Sequence, residues 1–139
     1  MKTEVYSIPG KMVGHYDGAN NAMIDSWSSL LVSLDEFKAA VYDVGIDFAR
    51  KNKVTTWIVD NSTSNGVYKK EVQDFIGTTV APKCAEIGIK YFFVILPQSA
   101  IAKLSAKNVA KINSNQKGMQ TLQVASVEEA LKMVKEAAS

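Results

Sequence analysis

Apolar and polar positions alternate at two different spacings along this chain. The changeover near residue 30 separates an opening of short strands from a longer run of strands and helices. Glu4 to Ile8, Lys11 to Asp17 and Ala22 to Leu30 read as extended segments. Pro9-Gly10 and Gly18-Ala19-Asn20-Asn21 divide them with turn-favouring residues, so antiparallel pairing through short connections is expected. From Ser33 the apolar spacing changes to three and four. Ser33 and Glu36 form an S-x-x-E capping box, in which each side chain satisfies an otherwise orphaned backbone N–H. Phe37, Val41, Val44 and Phe48 then predict one buried stripe, with Asp43, Asp47 and Arg50 towards solvent and an end at Asn52-Lys53.

Val54 to Asp60 is a β-branched and aromatic run, hence a buried strand, and Asn61 to Gly66 a polar loop. Val72, Phe75, Ile76, Val80, Cys84 and Ile87 trace a second helix, disturbed at Pro82 and stopped near Gly88. Tyr91 to Leu96 has the composition of a central parallel strand, covered on both faces and broken by Pro97-Gln98-Ser99. A third helix is expected over Ile101 to Ile112, turns from Asn113 to Gly118, and a last strand over Met119 to Val124. Ser126 and Glu129 repeat the capping box and open a final helix with Ala130, Leu131 and Val134 inward. Strands alternating with helices call for βαβ crossovers. The expected fold class is therefore α/β: a mixed sheet, antiparallel at its start and parallel afterwards, flanked by about four helices.

Bulk properties narrow the function. A chain of 139 residues fits a single domain, 1–139, and 47% apolar with 22% charged residues is ordinary for a globular protein. The net charge of +2 does not call for nucleic acid. Cys84 is the only cysteine, which excludes an intrachain disulfide and favours a reducing, cytoplasmic setting. One Cys and one His cannot build a structural zinc site, so neither metal nor cofactor is expected. The first residues lack the apolar run of a signal peptide, and Tyr91 to Pro97 is far too short for a membrane span.

Several of these features together resemble the SpoIIAA-like branch of the STAS superfamily. They are the antiparallel opening, Trp27 before the capped helix at Ser33, and the strand end Trp57-Ile58-Val59-Asp60. Gly66-Val67, Gly88-Ile89-Lys90, Val94-Ile95-Leu96-Pro97 and the helix start from Ser126 to Leu131 add to them. The resemblance spans nearly the whole chain and implies a small mixed sheet flanked by helices, without enzymatic chemistry. Better-known relatives are switched by phosphorylation of a serine at the start of the second helix. This chain has Tyr68-Lys69-Lys70-Glu71 there, and its hydroxyls Ser62, Thr63 and Ser64 lie earlier, in the loop.

Ligands of open α/β sheets meet the loops at the carboxyl ends of parallel strands. The candidate binding residues are accordingly Asp60, Asn61, Ser62, Thr63, Ser64, Gln98 and Ser99, although such residues also serve simply as turn and cap formers. No catalytic set emerges. His15 is the only histidine and is far from Cys84 in the chain, and Cys84 reads as core. Lys103, Lys107 and Lys111 form a basic stripe that reads first as a solvated helix face. Trp27 with Leu30, Leu31, Val32 and Leu34 is an apolar cluster suited to the core, or to a homodimer surface or pocket wall. The expectation is a non-enzymatic regulatory or protein-interaction module with an unspecified protein partner. The alternatives are a carrier of a small apolar or lipid-like ligand, and an enzyme centred on Asp60.

Overall fold

The computed structural model describes residues 2–96 and 118–138. Its strands are β1 (Lys2–Ile8), β2 (Met12–Asp17), β3 (Ala22–Trp27), β4 (Thr56–Asp60), β5 (Tyr91–Ile95) and β6 (Gln120–Val124), and they lie in one sheet in that order. β1, β2 and β3 pair antiparallel, while β3 to β6 run parallel. The mixed α/β sheet agrees with the sequence pattern. Three helical runs accompany it among the described residues, where about four are expected. The expected helix over 101–112, with its lysine stripe, lies outside them. No described helix is long and apolar enough to cross a membrane.

Strand side chains alternate between faces with period two, which divides the core into two layers. Met23, Trp27, Trp57, Val59, Phe92 and Val94 face the first and second helical runs. Ile24, Ile58, Phe93 and Ile95 face the other way, against Ala130 of the last helix (Val127–Ala138). Burying each large apolar side chain of these layers contributes about 1.5–3 kcal/mol. Trp27, Leu30 and Val32 are core residues at 2%, 0% and 0% exposure; of that cluster only Leu31 stands out, at 54%.

The first helical run begins at Ser33 with the expected capping box: Ser33 Oγ accepts from Glu36 N at 3.1 Å, and Glu36 Oε1 accepts from Ser33 N at 3.0 Å. It is α-helical over Leu34–Phe37, π-helical over Lys38–Ile46 and α-helical again over Asp47–Lys51. This corrects the predicted stripe. A π turn holds more residues than an α turn, so the inward face moves on from Val41 to Gly45, Ile46 and Ala49. Val44, placed inward by the α-helical spacing, is 43% exposed. The second run likewise passes from Lys70–Phe75 through a π segment, Ile76–Val80, to Ala81–Glu86. Pro82 falls just past the junction of the π and final α segments, inside the continuous run, where its missing N–H interrupts the helical ladder as the disturbance expected there.

A bulge in β1 between Glu4 and Tyr6 resets the alternation, so that Tyr6 and Ile8 turn towards the helices. Gly14 lies opposite Tyr6; a Cβ there would come within 2.4 Å of the phenol ring. His15 pairs with Ile24 and therefore lies on the last helix's side of the sheet. Cys84 belongs to the other layer, so the sheet separates the two groups of any Cys–His device.

Candidate functional site

The alternation of β4 continues into the loop after it and divides the predicted site. Asp60 and Ser62 fall on the side of the last helix, where Asp60 Oδ1 accepts from Ser62 N at 3.0 Å and from Ser62 Oγ at 2.7 Å. Asn61 turns to the opposite side and is 1% exposed. Its backbone N–H donates to Ile95 O at 3.1 Å, extending the sheet by one bond. Ser64 is buried at 3%, and its N–H and Oγ donate to Asn61 O at 3.0 and 2.9 Å. Thr63 is exposed and borders a separate groove with Pro9, Lys11 and Ser28. The five described residues of the expected surface thus separate: Asp60 and Ser62 stay together, Asn61 and Ser64 are internal, and Thr63 faces elsewhere. Gln98 and Ser99 lie outside the described residues.

Asp60 and Ser62 open onto a groove of about 300 Å³. Ser26, at the carboxyl end of β3, and Ile95, at that of β5, form part of its wall. Ser126 and Glu128, at the start of the last helix, close the far side, and Lys2 reaches in from β1. Ser126 caps that helix, its Oγ accepting from Glu129 N at 3.1 Å. The Glu129 carboxylate accepts from Ala125 N at 2.8 Å rather than from the capping residue itself. The groove offers hydroxyls and carboxylates, with one ammonium at its margin. It can hold polar partners by hydrogen bonds and attract a cationic side chain.

A second polar centre was not singled out in the sequence. Asp25 is 2% exposed on β3, facing the helices. Tyr6 O–H donates to its Oδ1, and Trp57 Nε1–H donates to its Oδ2 at 2.9 Å. Burial raises the carboxyl from 3.8 to about 6, and the two donors only partly oppose that rise. Burial, joined by repulsion from Asp25, also raises the Tyr6 and Tyr68 phenols and pushes the Cys84 thiol up to about 12. Cys84 is thus a protonated core thiol rather than an activated nucleophile. The signal that could have found Asp25 is its register. In Ala22-Met23-Ile24-Asp25-Ser26-Trp27 it shares the face of Met23 and Trp27, which is the core face.

Among the described residues no group of three or more His, Cys, Asp or Glu side chains could hold a metal ion. Comparison with protein-family models, curated proteins and solved structures finds no match to this chain.

Proposed function

We propose that the protein is a non-enzymatic interaction module of the SpoIIAA-like type, which meets a protein partner at the carboxyl edge of its sheet. The convergence of Asp60, Ser62, Ser26, Ser126 and Glu128 on one polar groove carries this reading. These groups come from three separate elements; turn formation accounts for Asp60 and Ser62 and helix capping for Ser126, but neither accounts for Ser26 or Glu128. Antiparallel opening strands followed by a parallel sheet also accord with the resemblance.

Site-specific photo-crosslinking in native lysate tests it. A photo-reactive side chain replacing Ser62 or Glu128 should yield a discrete adduct, whereas one at Arg50, exposed on the first helical run, should not. An adduct of twice the chain mass would identify the partner as a second copy. Adducts that are absent from the groove positions, or equal at Arg50, would refute the reading.

A further inference from the structure

Between the sheet and the first two helical runs lies an internal cavity of about 30 Å³, distinct from the edge groove. Val59 and Val94 form its floor and Val41, Ile76 and Val80 its roof. Trp27 and Phe37, stacked at 6.0 Å between centroids, close one side. No lining residue is more than 8% exposed. A water needs about 10–15 Å³ of space open to its centre, so one or two waters fit, whereas an organic ring or a lipid tail does not.

The polar groups on this wall suit such a guest. Asn61 Oδ1 borders the cavity, buried and without a hydrogen-bond partner among the protein groups. Natural interiors rarely leave a polar atom in that state, and buried water is the usual remedy where no protein donor reaches. Asp25 borders the same cavity. It stands beside Val59 in the pairing of β3 with β4, and Asn61 lies two residues further along on the same face. Two rises of about 3.3 Å and one strand spacing of about 4.8 Å put the two Cα atoms about 8 Å apart, which leaves room for a bridging water between the side chains. The Asp25 carboxylate accepts from Tyr6 and Trp57, and its roughly four lone-pair sites leave capacity for more. Cys84 also borders the cavity, and its thiol, kept protonated by burial, offers a weak donor. A water here thus finds three kinds of polar partner, within the two to four bonds that buried waters make.

We infer that this cavity is a hydration site, in which one or two ordered waters bridge Asn61 Oδ1 to the Asp25 carboxyl and carry its change of protonation to the loop after β4. Gaining a proton turns one acceptor of the bridge into a donor, so the water reorients while still serving Asn61. Asn61 O in turn accepts from the Ser64 N–H, which makes the Ser64 amide a reporter. Among the described residues, the titratable groups facing Asp25 are Tyr6 of β1, Tyr68 ahead of the second helical run and Cys84 within it, and burial keeps all three neutral. The first helical run presents only Phe37 and Val41 to the cavity.

Two measurements on the full chain test this, and neither needs a partner at the edge groove. A high-resolution crystal structure should show a water within hydrogen-bond distance of Asn61 Oδ1. In NMR titrations from about pH 4.5 to 7.5, the Ser64 amide shift should follow the Asp25 carboxyl carbon with a shared midpoint. Asp25→Asn should abolish that shift change. Asn61→Leu, which removes the acceptor, should leave the Asp25 carboxyl titrating and reduce the Ser64 response by about twofold or more, because a network passes polarisation on through its bonds. If circular dichroism finds Asn61→Leu unfolded, Val80→Ile, whose added methyl group occupies the cavity, should expel the water and reduce the response in the same way. The inference fails if the crystal structure shows no water at Asn61 Oδ1, or if Ser64 does not titrate with Asp25. It also fails if Ser64 responds equally once the acceptor is removed or the cavity filled.

Discussion

Replacing Asp25 by Asn should remove a fall in stability that the native protein undergoes between about pH 4 and pH 7. In the fold the carboxyl ionises near 6, because burial outweighs the help of Tyr6 and Trp57; in the unfolded chain it ionises near 3.8. Below that lower value both states are protonated and the burial has no pH-linked cost. As pH rises, the unfolded chain releases its proton first, so the folded state loses ground until its own carboxyl has ionised. The full difference is about 3 kcal/mol, a large part of the stability of a domain this size. Tyr6, Tyr68 and Cys84, the titratable groups nearest Asp25, stay neutral throughout, since burial raises each of them. Asp17, Glu36 and Asp47 act in the opposite sense. For Asp17 the hydrogen bonds of Asn20 and Ala19 overcome burial; Glu36 is held down by the Ser33 N–H, and Asp47 by Arg50. Their contributions grow with pH below Asp25's range and are common to both proteins, so they cancel in the difference. An Asn side chain cannot accept on both arms, and the resulting loss is an offset without pH dependence. Urea denaturation at intervals from pH 4.5 to 7.5 gives the difference directly, through midpoints at constant slope. The variant should gain on the wild type as pH rises to about 7 and level off beyond it. A difference that changes by less than about 0.5 kcal/mol would refute the burial of an ionisable carboxyl at this position.

Two further outcomes follow from the packing. Gly14→Ala should destabilise the protein by about 1–3 kcal/mol, because the new methyl group meets the Tyr6 ring; combining it with Tyr6→Leu in a double-mutant cycle should recover part of the loss. Val41→Ala should cost about 2 kcal/mol and Val44→Ala less than about 0.5 kcal/mol in chemical denaturation, whereas equal costs would restore the regular α-helical stripe.

The legible parts of this fold are those fixed by short-range chemistry. Pro9-Gly10 has to turn, Ser33 and Glu36 have to cap, and Tyr91 to Ile95 is too apolar for anything but a covered strand; all three appear as expected. The π-helical stretches were hidden because Phe37, Val41, Val44 and Phe48 satisfy an α-helical spacing, and only packing against the sheet selects the wider turn. Of the site, Asp60 and Ser62 were legible as a polar strand end. Their separation from Asn61 and Ser64 follows from strand alternation carried past the strand's last residue, where a loop is ordinarily treated as one surface. Asp25 was overlooked for a related reason. A single carboxylate among apolar residues gives little signal until Tyr6 is delivered to it by a bulge in a different strand.

The sheet's strictly consecutive strand order has a consequence for how the molecule is made. Each strand hydrogen-bonds to the one synthesised just before it, so an emerging chain always finds an open edge and never has to part an existing pair to insert a newcomer. Growth from one side keeps the loops to be closed short and spares the chain the long searches that slow other parallel sheets. It also places Trp57 and Phe92 on strands that join the sheet beyond the antiparallel β1 to β3, one neighbour at a time.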